Sequence, residues 1–356
     1  MREIYQLLQK SPAELRQKIA SVQGAEKRFV TSALILRDVL LLAFAIFYIS
    51  LFNYLFGSEN SSIAVGSFCM LLGLRFVSFD YQVTDSIVAL GIVLSLMFFV
   101  GILWPIVPIA LGWLLNFAAL LLTLMLTTSN PKLGNGGIYA FSYIFIVGTP
   151  VQQSLIMTRG LALLTVFVLL SLVLLRHHRY TALDRRLSHV IRAFDVRSKT
   201  SLWQLRLALG ISIALTTAQL LHAPRAVWMG YAAMSILLPQ SDHVMPRAGQ
   251  RLLGVLGGSL LFALLMKLVP VQWQFAIGPL GGLGLGLTAN YFGHSVLNCF
   301  GALTMAYTLF GLKTSVLLRV VNNFGGIAIA LLCTFIFSWI YANYLKSEKK
   351  DPQIEQ

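Results

Sequence analysis

Long apolar runs alternate with short polar breaks along most of this 356-residue chain. A membrane-spanning helix needs about 20 mostly apolar residues, and breakers mark where one ends. On that measure the first runs predict helices near 34–56, 60–78, 84–103, 106–127, 137–154 and 158–175. They are separated by Gly57-Ser58-Glu59-Asn60, Asp80-Tyr81-Gln82, Trp104-Pro105, Ser129 to Lys132 and Gly148-Thr149-Pro150. A second series is predicted near 203–221, 225–239, 251–268, 272–290, 294–311 and 317–344, broken at His222-Ala223-Pro224, 240–250, Val269-Pro270, Tyr291-Phe292-Gly293 and 311–314. Leu36-Arg37 opens the first series and Leu205-Arg206, 169 positions later, opens the second. The expected architecture is an all-α polytopic membrane protein of about twelve transmembrane helices, in two tandem six-helix repeats at 31–176 and 201–345.

Three segments fall outside the spans. Residues 1–30 carry Ile4, Leu7, Leu8, Leu15, Ile19 and Val22 in a loose helical stripe, with Ser11-Pro12 as a helix start. Such a helix either lies on the inner membrane surface or packs under the bundle. The linker at 177–200 sets Leu183, Leu187, Val190, Ile191 and Phe194 among arginines, and 346–356 forms a polar tail. The first thirty residues show no apolar run followed by a small-residue cleavage site, so the first helix is expected to act as its own insertion signal.

Composition fixes the solvent. The chain is 57% hydrophobic and 11% charged, whereas a soluble domain carries about 25% charged residues. A net charge of +14 is traced to the bias of Lys and Arg toward cytoplasmic loops and to attraction for anionic lipid headgroups, which leaves no call for nucleic acid. Alternating the loops places six basic residues in the N-terminal tail, seven from Arg176 to Lys199, and six more at Lys132, Arg247, Arg251, Lys346, Lys349 and Lys350 on one side. The other side receives Arg159, Arg225, Lys267, Lys313 and Arg319. Both termini are therefore expected in the cytoplasm, in a bacterial plasma membrane. Cys69, Cys299 and Cys333 lie in apolar runs at no metal or disulfide spacing and read as buried thiols.

A charge at mid-span costs about 2.5–3.5 kcal/mol, against a gain of under about 0.6 for each leucine. Arg37, Asp38, Arg75, Asp85, Arg206, Arg225, Arg251, Lys267 and Arg319 lie in or beside predicted spans. Most sit within a turn of a span end, where the side chain can reach the interface. Arg37 and Arg206 occupy equivalent positions in the two halves. Arg225 and Trp228, three apart, are expected on one face at the start of the eighth helix. The run from Asp242 to Arg251 gathers polar groups in which Arg247 and Arg251 could meet a carboxylate bidentately. Gly278, Gly282 and Gly286, with Gly281 and Gly284 between them, and the pair Gly254 and Gly258 read as helix-contact faces, and they permit a homodimer. Gly278-Pro279 could break its helix instead.

The stretch from Leu205 to Leu265 resembles the fusaric acid resistance and aromatic acid exporter family. The matching residues are Leu205-Arg206 opening a helix, Trp228 early in the next, Leu238-Pro239 closing it, Arg247, and Gln250-Arg251-Leu252-Leu253-Gly254 before Gly257-Gly258. The resemblance implies paired six-helix units and export of small organic anions, commonly aromatic carboxylates, from the bacterial cytoplasm. A similar group, the aluminium-activated malate transporters of plants, works as anion channels. The first half departs from the pattern, with Asp85-Ser86-Ile87 where the second half has its arginine and glycine entry to the third helix.

The leading expectation is a secondary exporter of organic anions. Arg206, Arg225, Trp228, Arg247 and Arg251 would contact substrate and Asp85 would be the proton-coupling carboxylate. A passive anion channel would use the same arginines without a titrating group, and a membrane scaffold for envelope assembly would use the basic tail and linker for docking. Enzyme chemistry is not expected. His177, His178 and Asp184 form no metal or acyl-transfer spacing, His294 reads as a cap or interfacial residue, there is no phosphate-binding loop, and no cofactor or metal is implied.

Overall fold

The computed structural model describes residues 2–238 and 244–348, so Pro239, Asp242 and His243 lie outside the described residues. Among those described there is helix and turn and no strand. The helices are α1 (Arg2–Leu8), α2 (Pro12–Ser21), α3 (Gly24–Phe56), α4 (Ser61–Leu74), α5 (Val83–Leu103), α6 (Ile109–Thr127), α7 (Asn135–Val147), α8 (Ile156–His178), α9 (Leu187–Arg192), α10 (Lys199–Leu220), α11 (Val227–Leu237), α12 (Val244–Leu268), α13 (Ile277–Leu287) and α14 (Tyr291–Glu348). α14 is two helices meeting at Gly311, whose φ of 72° only glycine adopts without strain.

Helix occupies every stretch where a span is predicted. Six candidates, Gly24–Phe56, Val83–Leu103, Ile109–Thr127, Gln153–His178, Val244–Leu268 and Tyr291–Ile340, are long and apolar enough to cross a membrane by length and composition. α7 and α11 are apolar but shorter.

Two compact units interleave along the chain. One joins Met1–Ser58 to Gln250–Val320, and the other joins Glu59–Gly249 to the chain from Val321 onward. This grouping by packing does not follow the order of the two expected halves.

In the first unit α3 starts ten residues earlier than the apolar run at 34 indicates. The polar beginning of α3 is helical because α1 and α2 cover one side of it, burying Leu7 and Leu15 with Val30, Ala33 and Leu34. α2 starts at Ser11 with a capping box. The Ser11 hydroxyl accepts from the Glu14 N–H at 3.3 Å and the Glu14 carboxylate accepts from the Ser11 N–H at 2.8 Å. That second bond holds the Glu14 carboxyl below the usual carboxylate range. The tail thus adopts the packed arrangement. Arg16 fixes it further, donating to the carbonyls of Gly286 at 2.6 Å and Thr288 at 2.9 Å, at the end of α13 where helix carbonyls lack partners.

The glycines of this unit face two neighbouring helices, α14 and α3. A Cβ at Gly254 or Gly258 would press on Ser295 or the Val296 backbone of α14, one at Gly278 or Gly281 on Thr304 or Phe300, and one at Gly282 or Gly286 on Leu42 or Asp38 of α3. Pro279 does not break α13. It occupies the first turn, where its missing N–H forfeits no helical bond.

In the second unit α10 is the hub. Trp203 Nε1 donates to the Leu238 carbonyl at 2.8 Å and Gln204 Nε2 to the Thr128 carbonyl at 3.0 Å, so one turn of α10 satisfies the ends of α11 and α6. Arg159, which the loop tally places outside the bundle, is buried and donates to the carbonyls of Thr149 and Ile146, neutralising the C-terminal end of α7.

Candidate anion site

Arg206, Arg225, Trp228 and Arg247 belong to the second unit and Arg251 to the first. Arg206 is buried in α10 beside Cys333, and the glycine one turn on, Gly210, lets Leu237 and Cys333 close around it. Arg225 is not on the helix. α11 begins at Val227, and Arg225 stands in the preceding turn with φ 60°, after His222 at φ 47°. Pro224 ends the helical path before it, so Arg225 does not share a helix face with Trp228, and the Trp228 N–H bonds the Arg225 carbonyl at 2.9 Å. The turn is braced by Asn322, whose amide donates to the Pro224 carbonyl at 3.0 Å. Arg206 lies 14 residues before the end of α10, about 21 Å along its axis at 1.5 Å per residue, so it and Arg225 are not brought together. Trp228 is buried in the first turn of α11. Arg247 donates through Nε and Nη2 to the Ser235 carbonyl at 3.3 and 3.1 Å, which makes it a cap for the last turn of α11.

Asp85 sits in the first turn of α5, half-buried. Its Oδ2 accepts the Leu187 N–H at 2.8 Å and so caps α9 in the linker. The segment just before α5 holds the linker three times more: Asp80 pairs with Arg185, the Gln82 N–H bonds the Arg185 carbonyl at 2.9 Å, and the Gln82 side-chain amide donates to the Leu183 carbonyl. Losing a helix-capping acceptor costs about 0.5–2 kcal/mol. Asp85→Ala is therefore expected to loosen the linker, seen as faster tryptic cleavage at Arg185, Arg186 and Arg192 in limited proteolysis.

The densest positive site lies in the first unit and includes a residue the sequence assigns elsewhere. Gly254 and Gly258 bring α12 and α14 nearly into backbone contact. One turn before them, Arg251 is 5% exposed and its guanidinium donates to the Tyr291 hydroxyl, within electrostatic reach of Arg319 and Cys299. Arg319 is 2% exposed. The loop tally puts Arg319 on the opposite side from Arg251. Its burial beside Arg251 removes it from any count of loop charges, and the break expected at 311–314 appears as the kink at Gly311, eight residues before it. Two guanidinium groups this close repel, and an anion set against both replaces repulsion with attraction.

An all-helical chain with six helices suited to crossing a bilayer is a helical membrane protein. Residues 213–333, from within α10 to within α14 and about a third of the chain, match the family described as fusaric acid resistance protein-like. The match takes in Trp228, Arg247 and Arg251 of the resemblance read from Leu205 to Leu265, begins after Leu205-Arg206, and runs past Arg319 to residue 333. No curated protein and no solved structure matches the chain.

Proposed function

We propose that this protein is a secondary, proton-linked exporter of small organic anions such as aromatic carboxylates, in the bacterial plasma membrane with both termini in the cytoplasm. In this reading its helices make twelve crossings in two related halves. The observation that carries it is the pair of buried arginines, Arg251 and Arg319, inside the stretch that matches the fusaric acid resistance protein-like family. A carboxylate entering a low-dielectric interior loses its hydration, and two guanidinium groups that stay buried with or without it replace that hydration at no reorganisation cost. The neighbouring Tyr291 offers an aromatic ring and a hydroxyl to the same ligand.

The test is counterflow in proteoliposomes with labelled aromatic and aliphatic carboxylates, with and without a pH gradient. Saturable exchange accelerated by the gradient is the expected outcome. No transport of any member sinks the reading, and large unitary currents indifferent to the gradient replace the exporter with a channel.

A further inference from the structure

The structure gives Asp85 a capping task at a span end, and another carboxylate is placed as a coupling group would be. Asp38 is the fifteenth residue of α3 and 6% exposed. Its Oδ1 lies 3.3 Å from Arg37 Nη1, while its Oδ2 is buried with no hydrogen-bond donor. The surface facing it is Gly286 of α13, where an added Cβ would sit 2.8 Å from Oδ2. No other residue type leaves the carboxyl its place at that contact.

The surrounding charges are few. Arg37 faces Asp38 from its own helix and Arg16 from α2, while α13 carries no titratable residue and α1 adds none to the field at Asp38. His294, at the start of α14, hydrogen-bonds the Thr288 backbone and feels the same Arg16. The ionised carboxylate is thus held by Arg37 through one oxygen and by the charge of Arg16. The other oxygen is buried without a donor, where a charged oxygen is unfavourable. Protonation relieves that oxygen and weakens the hold on Arg37 and Arg16 together. Arg16 is bonded to the last carbonyls of α13, so the charge on Asp38 bears directly on how α13 is held. α13 has five glycines among eleven residues, a composition that lowers its helix preference.

We propose that Asp38, set against Gly286 at the contact of α3 with α13, is the carboxylate that binds and releases the coupled proton, which rests on the exporter reading above. The step makes and breaks one O–H bond on the Asp38 carboxyl, with water as the proton's source and sink.

The test uses the full chain in proteoliposomes. Asp38→Asn keeps shape and polarity but cannot take up or release the proton. Counterflow at equal pH should persist in this variant, while gradient-driven accumulation should fall to the level of protein-free liposomes. Gly286→Ala should displace the Asp38 carboxyl and move the pH at which driven transport is half-maximal. Driven transport surviving in Asp38→Asn while lost in Asp85→Asn or His294→Gln overturns the assignment. So does loss of counterflow as well in an Asp38→Asn protein with an unchanged unfolding midpoint, since that marks a substrate contact. Should Asp38→Asn fail to fold, the Gly286→Ala pH profile decides, and an unmoved profile overturns the proposal. Wild-type protein that exchanges substrate without any gradient dependence refutes the exporter reading itself, and the assignment with it. Failure of Asp38 alone requires a wild type that is driven.

Discussion

Arg319→Gln is expected to weaken carboxylate transport by about 10- to 150-fold in half-saturation, the equivalent of a charge-assisted hydrogen bond worth about 1.5–3 kcal/mol. Arg251→Gln should fall in the same range. The double variant should lose less than the product of the two, because both act on one ligand through a shared field. Arg319→Lys should recover only part of the loss, since an ammonium cannot offer a carboxylate two parallel N–H donors. Stability should move differently. Arg319 lies in the field of another buried cation, so deleting its charge removes a repulsion that offsets part of the cost of the contacts its guanidinium loses, and the unfolding midpoint in detergent should change little. A midpoint that drops with transport would make Arg319 a packing residue and remove the main support for the anion site.

Gly258→Ala should be among the most damaging single methyls in the family-matched stretch, with Gly326→Ala, whose Cβ would lie 2.2 Å from the Met229 carbonyl oxygen. The new carbon would lie 2.5 Å from the Val296 carbonyl oxygen and 2.9 Å from its Cα, and backbone cannot rotate away as a side-chain tip can. α12 must withdraw from α14, at a cost of about 1–3 kcal/mol for overpacking. Withdrawal also parts Arg251 from Arg319, so transport should fall with the unfolding midpoint. The adjacent Gly257→Ala is the control. Nothing lies within 4 Å of its Cβ position, and the gain in helix preference of about 0.8–1.0 kcal/mol should leave the midpoint unchanged or raised. Equal effects at the two positions would mean that α12 and α14 are not in this contact.

The positions of the helices were legible because long apolar runs and their breaks are local properties, and so was the α2 start, since Ser11, Pro12 and Glu14 carry the whole cap among themselves. The Gly254 and Gly258 contact was legible in kind but not in partner. Distant pairings were not legible. Asp85 looked like a charge near a span because its partner, the Leu187 N–H, is 102 positions away. Arg319 looked like a loop charge because it stands near the start of the run after the break at 311–314, and its place beside Arg251, 68 positions earlier, is a distant pairing. Arg225 looked helical because an apolar run follows it, while the left-handed turn after Pro224 depends on how the chain is braced by Asn322. The first ten residues of α3 looked like tail because their polarity is visible in sequence and the cover supplied by Leu7 and Leu15 is not.

The hydrogen bond from Arg16 to Gly286 spans 270 positions, and it sets an order on biosynthesis. A ribosome delivers α1, α2 and α3 to the membrane first, yet α12, α13 and the start of α14, their partners in the first unit, emerge only after residues 59–249 have been made. The opening helix must therefore wait, with Asp38 and Arg37 shielding one another, while residues 59–249 are made. Nascent chains stalled before α13 should hold a protease-sensitive tail that becomes protected once Thr288 has left the ribosome.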